Sequence, residues 1–257
     1  MKVAAIYDIH GNLPALDAVL AEIDQAAPDL ILVGGDVASG PIPKVTLERL
    51  MSLGNRARFV MGNADREIIS AFDGIPFAPN TPDDVQVITS WAAQQLERKH
   101  RDFLASFVPQ VVLEVDGLGE VLFCHGSPRS DEEILTEATP AERLHPILAG
   151  VAQPVVVCGH THMQFDRQFG TTRVVNAGSV GMPYGEPGAY WLWLGPEVTL
   201  RRTTYDLEQA AQVIRASGYP QAQEFAAENV LKPPTAAEAI DVFERIASSG
   251  SDQTVSQ

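Results

Sequence analysis

The chain has 257 residues, of which 45% are hydrophobic and 20% charged, and its formal net charge at pH 7 is −15. This composition is typical of a globular protein and excludes a wholly disordered chain; the length suits one large α/β domain, with or without a small cap. An acidic surface repels nucleic-acid backbones, so broad nucleic-acid binding is excluded. A small phosphorylated substrate stays compatible with the charge if metal ions supply local positive charge.

Cysteine use and apolar runs bear on the compartment. The two cysteines, Cys124 and Cys158, do not indicate a disulfide framework. The apolar run before Asp8 is too short for the core of a signal peptide, and no run approaches the roughly 18 apolar residues of a membrane span. We therefore expect a cytoplasmic protein without a membrane partner; the oligomeric state is not indicated.

The first part of the chain predicts alternating strands and helices. Short apolar runs predict the strands, and apolar residues at helical spacing predict the helices between them. In order, the elements are a strand over 2–7, a helix over 12–27, a strand over 30–33, a helix over 43–53 and a strand over 58–61. This order predicts a parallel or mixed sheet covered by helices, with polar residues converging at the carboxyl ends of the strands.

The chain after residue 61 predicts further strands and then helices. The predicted elements are a helix over 81–107, a hairpin over 110–115 and 120–124, a helical stretch within 130–150, strands over 155–158 and 171–175, and a hairpin over 189–194 and 198–203. His100 lies in a charged stretch and is predicted on a solvated helix face. Residues 1–247 are predicted as a single domain, with 203–247 as a helical appendage broken at glycine and proline residues. The polar stretch 248–257 is expected to be a disordered tail.

Five predicted strands end in side chains that can bind a metal ion. These side chains are Asp8 and His10, Asp36, Asn63, His125, and His160 with His162. Mixed imidazole and carboxylate ligands suit Mn, Fe, Ni or Zn better than Ca or Mg. Seven ligands are too many for one open site but suit two divalent ions that share a carboxylate. Asp36, alone on its strand, is the natural bridge.

The motifs that carry these residues resemble those of the calcineurin-like metallophosphoesterase family, in particular its small bacterial phosphodiesterase-like members. The matching strings, in order, are YDIHGN, GGDV, MGNAD, FCHGS, VCGHTHM and NAGSVG, and they extend over residues 3–181. The resemblance implies an α/β fold, a four-layer α/β/β/α sandwich of two mixed β-sheets flanked by helices. It also implies a dinuclear centre at the edge of the sheets.

The resemblance further implies how the ligands divide between two ions. Asp36 would bridge, the first ion would be held by Asp8, His10 and His162, and the second by Asn63, His125 and His160. Asp36, Asn63 and Asp65 are the candidate catalytic residues, with Asp65 supporting the site without binding an ion.

Two residues are candidate substrate contacts. The resemblance places Asn12 beside the substrate phosphate. Arg129 follows the His125 motif, and its planar donor fork could contact a phosphate; the alternative is an exposed arginine paired with Asp131 or Glu132. Tyr184 is a further candidate for the pocket wall.

The activity implied by the resemblance is hydrolysis of phosphodiester bonds in small substrates by a hydroxide that bridges the two ions. A phosphomonoesterase or a dinucleoside-polyphosphate hydrolase with the same centre is an alternative. A non-catalytic interaction scaffold of the same fold is an alternative from another class. Two positions depart from the family pattern: Ala64 stands where many members have a histidine that assists the leaving group, and Ala177 where proline is commoner.

Overall fold

The computed structural model describes residues 1–251, in which two five-stranded sheets pack between helices. The strands are β1 (Val3–Ile6), β2 (Leu30–Val33), β3 (Ala57–Phe59), β4 (Val111–Val115), β5 (Gly119–Phe123), β6 (Val155–Cys158), β7 (Gln164–Phe169), β8 (Thr172–Ala177), β9 (Ala189–Leu194) and β10 (Val198–Thr203). The helices are α1 (Leu13–Ala26), α2 (Pro43–Met51), α3 (Asn63–Phe72), α4 (Asp83–Gln94), α5 (Arg98–Leu104), α6 (Ala141–Leu148), α7 (Leu207–Arg215), α8 (Ala222–Phe225) and α9 (Ala236–Ser251). A 3₁₀ turn (Gly54–Arg56) and a π-helical segment (Ala226–Leu231) complete the elements.

The sheets have the strand orders β10-β9-β1-β2-β3 and β4-β5-β6-β8-β7, and both are mixed. Alternate side chains of β1 point to opposite faces of its sheet. Val3 and Ala5 lie in the core between the two sheets, whereas Ala4 and Ile6 lie in the core beneath the helices. A third apolar cluster includes α6 and the outer face of the second sheet. The predicted four-layer sandwich is therefore confirmed.

The loops after the parallel strands are hydrogen-bonded to one another, which brings their motifs together. The backbone N–H of Asp8, after β1, donates to the carbonyl of Gly35, after β2, at 3.1 Å. In the second sheet the N–H of Gly159, after β6, donates to the carbonyl of His125, after β5, at 2.8 Å. The predicted convergence at the strand ends follows from this pairing.

The predicted helix over 81–107 is wrong, because the chain forms two helices there, α4 and α5. Glu97 is extended (φ −106°, ψ 165°), and its N–H donates to Nδ1 of His100 at 3.0 Å, which starts α5. His100 is fully buried rather than solvated, and its Nε2 lies 3.4 Å from a carboxylate oxygen of Glu48. The charged neighbours in sequence face solvent while the imidazole packs inward.

Strand β7 was not predicted from the sequence. Its side chains are mostly polar because it lies at the edge of the second sheet, paired with β8 alone among the described strands. Phe165 is its one fully enclosed side chain. An edge strand with one buried residue lacks the apolar run by which strands are recognised.

The C-terminal part of the chain is helical, as expected, and is broken near the predicted glycine and proline positions. Helices α7 and α8 and the π-helical segment share an apolar cluster that also contacts Ile88 and Trp91 of α4. Helix α9 extends to Ser251, into the stretch predicted as a disordered tail, and 252–257 lie outside the described residues. Among the helices of residues 1–251, none has the length and apolar character needed to cross a membrane.

Candidate metal centre

Six of the seven predicted ligands form two adjacent groups of three. Within each group the candidate ligand atoms lie within 4.8 Å of one another. The groups are Asp8 with His10 and His162, and Asp36 with His125 and His160. Residues from four different loops therefore meet at one edge of the two sheets, as the motif order predicts.

Asn63, the seventh predicted ligand, lies against the second group. It is the first residue of α3, and its Oδ1 is 3.2 Å from Nε2 of His125. The short strand β3 and the turn at Gly62 deliver it there. A Cβ on Gly62 would collide with Oδ1 of Asp36, so this close approach requires glycine.

Asp36 lies between the two groups. Its Oδ2 is 3.4 Å from Nε2 of His125 and 3.8 Å from Nε2 of His10. Its Oδ1 accepts a hydrogen bond from the N–H of Ala64 at 2.9 Å, which fixes the orientation of the carboxylate. One carboxylate oxygen thus faces a histidine from each group.

The backbone of the site is strained at the candidate ligands. Outside glycine, six described residues have positive φ, and five of them are Asp8, His10, Asp36, His160 and His162, with φ between 48° and 66°. The left-handed region is unfavourable for residues with a Cβ, and such residues cluster at functional sites, where the surrounding structure compensates for the strain. Here the positive φ angles occur at five of the six side chains that form the two candidate ligand groups.

Three of the histidines are oriented by backbone carbonyls. The Nδ1 atoms of His10, His125 and His162 lie 3.0, 2.8 and 2.9 Å from the carbonyl oxygens of Ser39, Gly34 and Met182, respectively. A carbonyl can only accept, so each Nδ1 donates, and in the neutral imidazole each Nε2 then presents its lone pair to the centre of the site. Metal-binding histidines in proteins are held in this way.

Asp8 provides the clearest sign that a cation belongs here. The side chain is fully buried, and its Oδ1 has no hydrogen-bond partner among the described residues. Its Oδ2 accepts from the N–H of His160 at 2.9 Å. An unpaired buried carboxylate oxygen is costly, and a divalent cation would compensate it. The donor set, carboxylate oxygen and imidazole nitrogen, fits such an ion.

The electrostatics of the site also fit a cation. Burial lowers the pKa of His10 below its ordinary value and that of His160 to about 4, so both imidazoles are neutral at pH 7. Burial opposes a charge on His125 too, but the nearby Asp36 carboxylate raises the pKa of His125 to about 10. The carboxylates that attract a proton to His125 would attract a metal ion in its place.

Asp65 holds the backbone around Asp36. Its Oδ2 accepts from the N–H groups of Asp36 and Gly62 at 2.9 and 3.1 Å, and its Oδ1 accepts from the N–H of Val37 at 2.9 Å. Burial and then the charge of Asp36 raise the pKa of Asp65 to about 7, although the donated hydrogen bonds oppose this. Asp65 thus fixes the backbone around Asp36 through these hydrogen bonds and is not a member of either candidate ligand group.

This geometry agrees with the comparison with known families. The model of the calcineurin-like phosphoesterase superfamily domain matches residues 1–194, three quarters of the chain. The chain belongs to the calcineurin-like phosphoesterase superfamily. In a metallophosphoesterase from Sphaerobacter thermophilus the same fold recurs with a TM-score of 0.69 and 26% identity, over 90% of this chain and 99% of that one. A hypothetical protein from Pyrococcus horikoshii OT3 shares the fold with a TM-score of 0.75 and 20% identity, over 88% of this chain and 97% of that one.

Among curated proteins, the chain is similar to symmetrical bis(5′-nucleosyl)-tetraphosphatases. The one from Yersinia enterocolitica is 30% identical over 158 residues, which are 60% of this chain and 51% of that protein. The one from Janthinobacterium sp. is 38% identical over 89 residues, or 33% of this chain and 32% of that protein. The matched part of the chain thus spans about a third to about half of the length of these relatives.

Asn12, which the resemblance to calcineurin-like phosphoesterases places beside the substrate phosphate, is hydrogen-bonded within the fold. Its side chain is fully buried, its Oδ1 accepts from the N–H of Ala15 at 3.3 Å, and its Nδ2 donates to the carbonyl of Gly181 at 3.0 Å. Both ends of the amide are engaged in capping α1 and in joining two loops. In this arrangement Asn12 holds the loop after β1 and has no surface free for a phosphate.

Arg129 is exposed and paired, as the alternative prediction held, but with a different partner. Its Nε lies 2.9 Å from Oε2 of Glu133, whereas Asp131 and Glu132 are paired with Arg66 at 3.0 and 2.6 Å. A cavity of about 380 Å³ beside His125 is lined by both arginines. Arg66 was not predicted as a site residue; its signal in the sequence is its position directly after the MGNAD string.

Proposed function

We propose that this calcineurin-like phosphoesterase binds two divalent metal ions and hydrolyses phosphodiester bonds of small substrates. The observation that carries the proposal is the meeting of two three-residue ligand groups, with one oxygen of Asp36 between them. We assign Asp8, His10 and His162 to one ion, and Asn63, His125 and His160 to the other. Asp36 would bind both ions, and this donor set suits Mn, Fe, Ni or Zn.

Two such ions, when bound, activate water at neutral pH and neutralise the charge of a phosphoryl group. The chain's own residues prepare the site for them. The carbonyls of Ser39, Gly34 and Met182 keep three imidazoles in the ligating tautomer. Asp65 anchors the backbone of Asp36, and the N–H of Ala64 orients its carboxylate. The burial of Asp8, Asp36 and His125 excludes bulk water from one side of the centre and strengthens its electrostatics.

The cavity beside His125 is the proposed place for the phosphate groups of the substrate. Arg66 and Arg129 lie in its wall and are, with Asp131, its charged residues apart from His125. Both arginines are paired with acidic neighbours, which offsets their charge. A bound phosphate would therefore displace those carboxylates or share the arginines with them. We propose Arg66 and Arg129 as substrate contacts on this basis, and not Asn12.

A dinucleoside polyphosphate is the second candidate substrate. The specific observation in its favour is the similarity to symmetrical bis(5′-nucleosyl)-tetraphosphatases. Such a substrate contains phosphoanhydride bonds between two nucleosides, and the same metal-assisted displacement would cleave them. A non-catalytic scaffold is disfavoured because all seven predicted ligand positions keep metal-binding side chains.

Metal content and a pair of aryl esters test the proposal. The purified protein loaded with Mn²⁺ should retain two equivalents per chain after gel filtration and hydrolyse bis(p-nitrophenyl) phosphate faster than p-nitrophenyl phosphate. P¹,P⁴-diadenosine tetraphosphate, followed by chromatography of the products, tests the second candidate. A protein that binds no transition metal, or that binds two equivalents and hydrolyses none of the three compounds, would contradict the proposed activity.

A further inference from the structure

A second cavity lies on the other side of the metal centre. It has a volume of about 310 Å³, and His10 and Ser39 form part of one wall. The opposite wall comes from α8 and the π-helical segment, in the C-terminal part of the chain. The superfamily match ends at residue 194, so this wall lies outside the residues that the superfamily model matches.

The lining of this cavity is unsuited to phosphate. Its charged side chains besides His10 are the carboxylates of Glu224 and Glu228, and no lysine or arginine is among the described residues that line it. Carboxylates repel a phosphate in a partly enclosed space. The two cavities beside the candidate metal centre therefore differ in the charge of their walls. Arginines line the cavity beside His125, and carboxylates line the cavity beside His10.

The cavity beside His10 also offers aromatic and amide groups. The ring of Tyr184 stacks on His162 with centroids 6.0 Å apart and planes at 27°, so an aromatic face continues from the metal ligands into the cavity. Tyr219 and Phe225 pack edge to face and add apolar surface. Gln221 and Asn229 contribute amide donors and acceptors. Flat apolar walls with a few polar groups are typical of sites for planar ligands.

The backbone of the wall is unusual where it carries the polar groups. At the end of the π-helical segment Ala226–Leu231, the N–H of Lys232 donates to the carbonyl of Ala227, five residues back, at 2.9 Å. Such segments are rare and are frequent at functional sites. This one carries the exposed Glu228 and the half-buried Asn229, both of which line the cavity.

We propose that this cavity binds the nucleobase of the substrate, and that the base carries an exocyclic amino group, as adenine does. The proposal rests on the proposed function, since the phosphate next to the base would lie at the metal ions. Tyr184 would stack on the base, a carboxylate of Glu228 would accept from its amino group, and the amide of Asn229 would donate to a ring nitrogen. The C-terminal helices would thereby select nucleotide-bearing esters over simple ones.

Two esters with the same leaving group test this selection. We expect the Mn²⁺-loaded protein to show a kcat/KM for the p-nitrophenyl ester of adenosine 5′-monophosphate at least roughly 10-fold above that for methyl p-nitrophenyl phosphate. Glu228→Lys and Asn229→Leu should each bring this ratio towards one. Glu208→Lys adds the same charge change on α7, away from the cavity, and should keep the wild-type ratio. A wild-type ratio near one, or variants with the wild-type ratio, would overturn the proposal.

Equilibrium binding separates this proposal from the proposed function. If the wild-type protein hydrolyses neither ester, the phosphoesterase proposal fails, and titration calorimetry with adenosine still tests the cavity. We expect adenosine to bind, purine riboside, which lacks the amino group, to bind more weakly, and Glu228→Lys to abolish the difference. Absence of adenosine binding, or equal binding of the two nucleosides to the wild type, would show that the cavity does not hold a base.

Discussion

The Nε2 atoms of His10 and His162 lie 3.1 Å apart, although 152 residues separate the two histidines in the chain. Both Nδ1 atoms point to backbone carbonyls, so in the neutral state both Nε2 atoms present lone pairs to each other. Two facing lone pairs repel unless a proton or a cation lies between them. Oδ1 of Asp8 is 3.5 Å from Nε2 of His162 and has no hydrogen-bond partner among the described residues, which favours the cation.

Asp36→Ala should affect both metal ions, because this carboxylate faces a histidine of each group. We expect bound Mn²⁺, measured by mass spectrometry after gel filtration, to fall from two equivalents towards none. His162→Ala should cost mainly one equivalent. Loss of the ions removes several kcal/mol of transition-state stabilisation, so kcat/KM should fall by about 10²-fold or more.

The exposed Asp84→Ala is the matched control for Asp36→Ala and should keep both ions and full activity. If Asp36→Ala retained two equivalents of Mn²⁺ and wild-type hydrolysis, Asp36 would not be the shared ligand.

Asp65→Ala should weaken metal binding although Asp65 belongs to neither ligand group. The substitution leaves the N–H groups of Asp36, Val37 and Gly62 without their acceptor. Each buried unsatisfied group costs about 1–3 kcal/mol, and loss of an outer-shell partner lowers metal affinity about 10–100-fold. Urea unfolding in chelator and Mn²⁺ titration of the folded variant measure the two effects. A folded variant with wild-type Mn²⁺ affinity would exclude a positioning role.

Because Ala64 cannot assist the leaving group, we predict that kcat/KM depends strongly on the leaving group. The residue is buried at the start of α3, and its methyl group can neither donate a proton nor stabilise a developing charge. General acid assistance is worth about 10²–10⁴-fold, so alkyl esters should be hydrolysed far more slowly than aryl esters. In a series of diesters, log kcat/KM should fall steeply with the pKa of the leaving group, and Ala64→His should flatten the slope. Ser70→His, later in α3, is the control, and a wild-type slope near zero would contradict the prediction.

We predict that the packing of α9 on the rest of the fold depends on pH through Glu244. Burial opposes its charge, but hydrogen bonds from Thr136, Arg143 and Thr139 outweigh this and lower the pKa of Glu244 below its ordinary value of 4.5. Because the folded-state pKa is the lower one, the stabilisation is present above pH 4.5 and is lost as the pH falls through the folded-state pKa.

Glu244→Gln should therefore lower the free energy of unfolding at pH 7 by about 1.5–3 kcal/mol, the range for hydrogen bonds to charged groups. The difference from wild type should shrink in acid below pH 4.5. Urea unfolding across the pH range measures it, with the exposed Asp241→Asn as control. A difference that is constant with pH would show that the charge of Glu244 does not hold α9.

The meeting of the candidate ligands could be predicted from the sequence because each of their motifs follows a short apolar run. The carboxyl ends of parallel strands lie at one edge of a sheet, so motifs at these ends meet whatever the loops between them do. The hairpin of β9 and β10 was predicted with its observed bounds for a similar reason, since local alternation and a turn signal define it. Asp36 was predicted as the bridge because it is the lone candidate ligand on its strand, and one of its oxygens faces a histidine of each group.

Other features depended on contacts between residues far apart in the chain. His100 has charged neighbours in sequence, but packing against α2 buries it. Asn12 follows a ligand motif, yet a carbonyl at Gly181 engages its amide. Arg129 pairs with Glu133, whereas Asp131 and Glu132, which were expected to pair with Arg129, pair with Arg66.

What the sequence determined by itself is the chemistry of the centre, because the kind and order of the ligands are properties of the chain and the strand ends bring them together. What only the tertiary structure decided is the surroundings of that centre. The C-terminal helices return across the fold to place Glu228 and Asn229 in the same cavity as His10, more than 200 residues away in the sequence. No local pattern encodes such a contact, since it arises from the packing of the helices on the rest of the fold.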